Sequence, residues 1–170
     1  MSIQKPGELF GHPKGLFVLF STELWERFSF YSMRAFLVLY LVNALAFSQG
    51  LSSEIYGAYL GFVYAAPFLG GMLADRILGQ RRAIVIGGFL MAAAQFTLAF
   101  HALRFRAGDA PSSLMMNCVL FLGLALLAAG NGFFKSNISS IVGSLYAQGD
   151  ARRDGAFTIF YMGINIGAFF

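Results

Sequence analysis

Cysteine, histidine and charged side chains are scarce in this chain of 170 residues. The one cysteine, Cys118, lies in an apolar segment, which excludes a disulfide framework and a thiolate metal site. The two histidines, His12 and His101, lack the spacing of metal ligands, and no nucleophile stands beside a base. We therefore expect neither an enzyme nor a metal site. The basic residues are scattered among hydrophobic runs, which argues against nucleic acid as a partner despite the net charge of +4.

Hydrophobic residues, by contrast, make up 58% of the chain, and 20 glycines accompany them. This composition is typical of a membrane protein, because small residues let helices approach closely in the bilayer. The hydrophobic runs predict an all-α membrane protein with five transmembrane helices, at about residues 15–46, 55–73, 83–103, 114–142 and 156–170. Polar turns or charged loops separate them, at about residues 48–53, 75–82, 104–113 and 147–155. A soluble helical core would need polar stripes that the second and third runs lack.

The fifth predicted helix is short. Fifteen residues at 1.5 Å each reach only about 22 Å, less than the hydrocarbon thickness of about 30 Å. No turn, flanking charge or polar tail closes this segment before Phe170. We therefore expect the chain to be a fragment of a longer protein, cut within a helix.

The lysines and arginines predict the orientation in the membrane. If the amino terminus lies in the cytoplasm, only two of the basic loop residues, Arg104 and Arg106, lie on the outer side of the membrane. The basic residues then on the cytoplasmic side are Lys5, Lys14, Arg76, Arg81, Arg82, Arg152 and Arg153. This asymmetry follows the tendency of cytoplasmic loops to carry positive charge.

Two acids and two arginines interrupt the first hydrophobic run. They are Glu23, Glu26, Arg27 and Arg34, and with Phe30 and Tyr31 they fall within an arc of roughly 140° on a helix. A charge at the bilayer centre costs about 2.5–3.5 kcal/mol on insertion scales. The pattern predicts an ion or substrate pathway along one helix face, and the alternative is a purely structural cluster of ion pairs.

A second polar stretch joins the second and third runs. It contains Asp75, Arg76, Gly79, Arg81 and Arg82, and it resembles the loop signature of the major facilitator superfamily. Such an acid among arginines could form ion pairs in one conformation and lose them in another. The alternative is a loop that only sets topology, although acidic residues contribute little to topology.

Two further polar positions lie in the fourth and fifth runs. Lys135 has Asn131 and Ser139 one turn away on the same face, which favours a lysine that faces a cavity over one that reaches for the interface. Asn165 lies between Gly163 and Gly167, and a helix-packing seam would explain it equally well.

Together these stretches resemble the proton-coupled oligopeptide transporter family, the peptide transporter branch of the major facilitator superfamily. The resemblance runs from about Phe10 to Phe170 and rests on three motifs. They are Glu23-x-x-Glu26-Arg27-Phe28, Asp75-Arg76-x-x-Gly79-x-Arg81-Arg82, and the asparagine-bearing segment from Phe160 to Gly167. The chain departs from the family with Phe30-Tyr31-Ser32 in place of Tyr-Tyr-Gly, and with Ser136 where proline often follows the lysine.

The resemblance implies a role for each matching residue. Glu23, Glu26 and Arg27 would take part in proton coupling, and Arg34 and Lys135 would favour the carboxylate end of a bound peptide. Tyr31, Tyr64 and Asn165 fall on substrate-contact positions. The fold implied is a major-facilitator-type fold, of which residues 1–170 would form part of the amino-terminal six-helix domain. The chain would hold its first five helices, with the fifth truncated, and would lack the carboxy-terminal half.

The predicted function is therefore proton-coupled symport of di- and tripeptides across the cytoplasmic (inner) membrane, in a multi-pass protein. The expected partners are small peptides, protons and the lipid bilayer, and the proton gradient replaces any cofactor as the driving force. Two alternatives stay open. One is a transporter of the same superfamily for another anionic solute, and the other is a membrane receptor or scaffold that transports nothing.

Overall fold

The computed structural model describes residues 7–104 and 114–170, which form five α-helices preceded by a short β-hairpin. The strands are β1 (Glu8–Leu9) and β2 (His12–Pro13), and the helices are α1 (Lys14–Leu39), α2 (Gln49–Leu73), α3 (Gln80–Arg104), α4 (Leu114–Ser144) and α5 (Arg152–Phe169). Single π-helical turns, Tyr40–Ala44 and Ala74–Leu78, extend α1 and α2. The expected five helices are confirmed, whereas the hairpin was not predicted. Most of the loop expected at residues 104–113 lies outside the described residues.

Helix α2 begins six residues earlier than its hydrophobic run. Ser48 is its N-cap, and its hydroxyl oxygen accepts a hydrogen bond from the backbone N–H of Leu51 at 3.2 Å. A serine in this position satisfies one of the free N–H groups at a helix start. The predicted polar turn at residues 48–53 is therefore wrong, because the cap lets polar residues form the first helical turn.

The charged loop expected at residues 75–82 is also wrong. Asp75 and Arg76 lie in the π-helical extension of α2, while Arg81 and Arg82 lie in the first turn of α3. Only Gly79 separates the two helices, with a positive φ of 75° that glycine adopts without steric cost. These charged residues therefore lie at helix ends and not in a loop.

Helix α5 begins at Arg152, four residues before the expected position, which shortens the predicted loop at residues 147–155. The Asp150 carboxylate accepts a hydrogen bond from the backbone N–H of Arg152 at 2.9 Å, so charged residues can occupy the first turn. The 18 residues of α5 span about 27 Å, more than the sequence suggested.

Three helices are long and apolar enough to cross a membrane: α2 with its extension, α3 and α4. Helix α1 has the necessary length at 26 residues, but its charged side chains lower its apolarity. The three charges in the first turn of α5 do the same there. The chain is thus a helical membrane protein, and its two more polar helices are α1 and α5.

The helices are distributed over two compact units. The first contains the hairpin, α1 up to Arg34, the end of α4 from Ile138, and α5. Its buried apolar residues include Leu16, Val142 and Phe160. The second unit, residues 35–137, contains the end of α1, α2, α3 and most of α4, with Leu41, Val63 and Phe134 among its buried residues.

Glycines set the closest helix contacts in the second unit. A methyl group at Gly132 of α4 would lie 2.6 Å from the Ala66 Cβ of α2, and one at Gly87 of α3 would lie 2.7 Å from the Gly130 carbonyl oxygen of α4. Both distances are far below van der Waals contact. The backbones therefore meet directly, as is usual where membrane helices pack on small residues.

Candidate functional site

Glu23, Glu26 and Arg27 form one buried group, here called the first-helix cluster. The Arg27 Nε donates a hydrogen bond to Glu23 Oε1 at 2.7 Å and lies 3.2 Å from Glu26 Oε2. The three residues are 1%, 6% and 8% exposed, respectively. The cluster predicted from the helical spacing is therefore present, and its charges lie away from solvent.

The geometry of α1 explains why these side chains meet. Residues four positions apart lie one above the other on a helix, which brings Glu23 and Arg27 together. Glu26 adjoins Arg27 in the chain, and Phe30, one turn further on, is also buried. The charged face thus continues into an apolar one on the same side of α1.

The charges of the first-helix cluster do not balance. Two carboxylates share one guanidinium, so the fully ionised group carries one net negative charge. The second oxygen of Glu23 is buried and has no hydrogen-bond donor among residues 7–104 and 114–170. Burial of charge is costly, and binding of one proton would bring the summed charge of these three residues to zero.

Arg34 lies outside the first-helix cluster and is the last residue of α1 in the first unit. Its guanidinium carbon is 5.8 Å from the ring centroids of both Phe30 and Tyr31, a separation suited to cation–π attraction. Tyr31 is 37% exposed. Arg34 therefore lies close to Phe30 and Tyr31, which were predicted to share its face of the helix.

Asn165 is exposed on α5 and makes no hydrogen bond with the described residues. Gly163 and Gly167, by contrast, are buried against α1, close to Phe20 and Leu24. A packing seam therefore exists in this helix, but it consists of the two glycines, and Asn165 lies beside it.

The second unit holds Lys135 and Tyr64. The Lys135 ammonium lies 5.5 Å from the centroid of the Tyr64 ring, within cation–π range. The close contact between Gly132 and Ala66 brings α4 and α2 together next to this pair. Tyr64 remains 59% exposed, so one face of the pair is open.

Asp75, Arg76, Arg81 and Arg82 are all exposed. Among the residues that the structure describes, no ion pair joins Asp75 to any of these arginines. The four charged residues thus lie close together in sequence at the α2–α3 junction, but Asp75 forms no ion pair with the arginines in the part of the chain that the structure describes.

An ion-pair network that the sequence did not predict lies in the first unit. Arg152 donates hydrogen bonds to Glu8 Oε1 at 3.0 Å, to the Gly11 carbonyl oxygen at 3.0 Å and to Asp150 Oδ2 at 2.8 Å. His12 Nδ1 and the Tyr146 hydroxyl lie 2.8 Å apart in a hydrogen bond beside it. The network fastens the amino-terminal hairpin to the connection between α4 and α5.

This network shifts the ionisation of its members. The hydrogen bonds from the side chain and backbone of Arg152 lower the pKa of Asp150 from 3.8 to about 2. The bonds to Asp150 and Glu8 raise the pKa of Arg152, and burial raises the pKa of Tyr146. No local sequence signal could have found the contact between Glu8 and Arg152, because 144 positions separate them.

A second unpredicted pair lies in the second unit, where the Tyr40 hydroxyl and His101 Nδ1 are 2.8 Å apart. His101 is fully buried. Within residues 7–104 and 114–170, no group of three histidine, cysteine or acidic side chains is placed to hold a metal ion.

A model of the POT family matches residues 81–170. Peptide transporter YePEPT of Yersinia enterocolitica subsp. palearctica serotype O:3 (strain YE-P4) is 43% identical over 176 residues, which cover 99% of this chain and 32% of that protein. Dipeptide and tripeptide permease A of Escherichia coli (strain K12) is 36% identical, and the match covers 98% of this chain and 32% of that protein. A crystal structure of a mutant of peptide transporter POT in complex with alafosfalin matches with a TM-score of 0.83 and 46% identity. The match covers 95% of this chain and 32% of that one. The chain thus spans about a third of the length of these relatives.

Proposed function

Because this chain belongs to the POT family, we propose that it is the amino-terminal part of a proton-coupled symporter for di- and tripeptides. One observation carries this proposal: a buried group on α1 in which two carboxylates share one guanidinium. The relatives named as peptide transporter and as dipeptide and tripeptide permease support the choice of substrate.

Proton coupling is assigned to Glu23, Glu26 and Arg27. With no proton bound, Arg27 attracts both carboxylates, and the group keeps a net negative charge. A proton on either acid neutralises that acid, and the ion pairs then redistribute around Arg27. Proton occupancy would in this way favour one arrangement of the helices over another, which is the requirement for coupled alternating access.

Substrate binding is assigned to Arg34 and Lys135, with Tyr31, Tyr64 and Asn165 as further contacts. Both cations lie beside aromatic rings, and guanidinium and ammonium groups form strong, charge-assisted hydrogen bonds with a carboxylate. Tyr31, Tyr64 and Asn165 are exposed in the chain as described, as residues that meet a ligand must be.

The remaining features of the proposal concern the whole transporter. The protein would lie in the cytoplasmic (inner) membrane with its amino terminus inside, have the major facilitator fold and require a carboxy-terminal half. It would need no cofactor beyond the proton gradient and would catalyse no covalent chemistry. A cytoplasmic gate would lie at the end of α2, with ion pairs that form in another conformation. Its residues would be Asp75, Arg76, Gly79, Arg81 and Arg82.

Replacement of Glu26 by Gln tests the proposal in the full-length protein reconstituted in liposomes. The cluster then becomes a neutral pair of Glu23 and Arg27 with no excess charge for a proton. We expect loss of peptide accumulation driven by a pH gradient, with counterflow exchange at least partly retained. Glu54→Gln is the matched control, because Glu54 is an exposed acid on α2. Unchanged accumulation in Glu26→Gln would disprove the assignment.

Peptide competition separates the alternatives. If the protein transports peptides, unlabelled dipeptides should block uptake of a labelled dipeptide. If it transports another anionic solute, uptake of that labelled solute should be blocked by the same solute unlabelled and not by peptides. A receptor or scaffold would show no uptake with either.

A further inference from the structure

The seam between α5 and α1 passes directly behind the first-helix cluster. A methyl group at Gly167 would overlap the Leu24 carbonyl oxygen and lie 2.9 Å from the Arg27 Cβ. Gly167 is buried, and its position in α5 has no room for any side chain. The α5 backbone is therefore in direct contact with the first carbon of the arginine side chain that both glutamates share.

The position of the Arg27 Cβ determines where its guanidinium lies. Arg27 Nε donates a hydrogen bond to Glu23 Oε1 at 2.7 Å, whereas its contact with Glu26 Oε2 is an ion pair at the longer distance of 3.2 Å. A displacement of a few tenths of an ångström would weaken the contact with Glu26 first. Small movements of α5 against α1 should therefore change how the positive charge is divided between the two acids.

We propose that Gly167 is a positioning residue for proton coupling, because its missing side chain lets α5 hold Arg27 between Glu23 and Glu26. This inference rests on the function proposed above. It predicts that a methyl group at position 167 changes the pH at which uptake is half-maximal, and not only the stability of the protein.

Gly163 provides the matched control for packing alone. A methyl group there would lie 2.8 Å from a Phe20 ring carbon and 3.0 Å from the Phe20 carbonyl oxygen. Gly163 therefore makes the same kind of close contact with α1 one turn earlier, but the three atoms nearest to the added methyl group all belong to Phe20 and not to a charged residue. Gly155 provides a second control, because the nearest atom to an added methyl group is His12 Cε1 at 4.0 Å.

The experiment compares Gly167→Ala, Gly163→Ala and Gly155→Ala in the full-length transporter in liposomes, with uptake measured from acid to alkaline pH. Thermal unfolding is measured on the same preparations. We expect Gly167→Ala and Gly163→Ala to unfold at lower temperature, and Gly155→Ala to unfold as the wild type does. Only Gly167→Ala should move the pH profile of uptake, by about one unit, the low end of the effect of a nearby opposite charge. The profile should move to higher pH, because a carboxylate further from Arg27 holds its proton more tightly.

Overlap of the Gly167→Ala and Gly163→Ala profiles would overturn the inference. Failure of Gly167→Ala to fold, while Gly163→Ala folds, would show that Gly167 is needed for packing and would also overturn the inference. A wild-type protein without pH-dependent uptake would instead disprove the proposed function.

Discussion

Replacement of Arg27 by Leu should destabilise the protein strongly and in a pH-dependent manner. The substitution removes the cation that both carboxylates contact, and these carboxylates are 1% and 6% exposed. Loss of one partner from a buried ion pair typically costs about 3–5 kcal/mol, because the remaining charge has no compensation. Here two like charges remain. The loss of stability at neutral pH should therefore be at the upper end of that range.

Acid should reverse this loss, since protons can neutralise Glu23 and Glu26 once Arg27 is gone. The triple variant Glu23→Gln/Glu26→Gln/Arg27→Leu has no charge in the cluster, and its stability should return close to that of the wild type. Replacement of a buried ion pair by neutral residues is often neutral or stabilising. Recovery in the triple variant would show that the penalty comes from charge and not from lost arginine packing.

Arg152→Leu is the comparison variant for these measurements. Arg152 also contacts two carboxylates, but its side chain is 46% exposed and water can replace the lost partners. Thermal unfolding in detergent between acid and neutral pH gives the ranking of all the variants. If Arg27→Leu loses no more stability than Arg152→Leu at neutral pH, the buried-charge reasoning is wrong.

Three further predictions follow from the site and its surroundings. Amidation of a dipeptide's carboxyl terminus should weaken binding by about 1.5–3 kcal/mol if Arg34 and Lys135 hold the carboxylate, and equal affinity of acid and amide would contradict this. Asp75→Asn should raise cytoplasmic-side cysteine accessibility and slow transport at matched expression, whereas a residue that only affects topology would change neither. The lowered pKa of Asp150, about 2 against 3.8 in the unfolded chain, gives stability that is present above pH 3.8 and lost as the pH falls through 2. The melting temperatures of the wild type and Asp150→Asn should therefore converge near pH 2, and parallel curves would exclude the effect.

Local spacing made the first-helix cluster predictable. Glu23 and Arg27 are four residues apart, so any α-helix through this segment brings them together, whatever its neighbours do. The proximity of Arg34 to Tyr31 follows from the same geometry. These contacts depend on one helix only, and the periodicity of that helix is visible in the sequence.

The helix ends were less predictable because hydrophobicity does not determine them. Ser48 is the N-cap of α2 and accepts a hydrogen bond from the Leu51 N–H, and the Asp150 carboxylate, just before α5, accepts one from the Arg152 N–H. Both helices start within polar segments, before their apolar runs. At the other junction, a single residue, Gly79, suffices to end one helix before the next begins. A hydropathy pattern assigns all three segments to loops.

Contacts between distant segments could not be predicted from one sequence. The hydrogen bond between Glu8 and Arg152 joins parts of the chain 144 positions apart. In the sequence alone, neither residue differs from an ordinary surface charge. The hairpin that carries Glu8 turns at Phe10, a non-glycine residue with a positive φ of 49°. Phenylalanine rarely adopts this conformation, so a turn at this residue could not be expected from its type.

The proposed functional side chains lie next to the tightest glycine contacts in both units. Arg27 touches the α5 backbone at Gly167 in the first unit, and Lys135 follows Gly132 by three residues in the second, where α4 meets α2 at Ala66. Membrane helices gain little from the hydrophobic effect among lipid chains and depend on close packing at small residues. Backbones in direct contact leave the least freedom for a helix to shift, so a charge next to such a contact is held most firmly. The glycines of this chain are therefore expected to determine where its buried charges lie, in addition to how its helices pack.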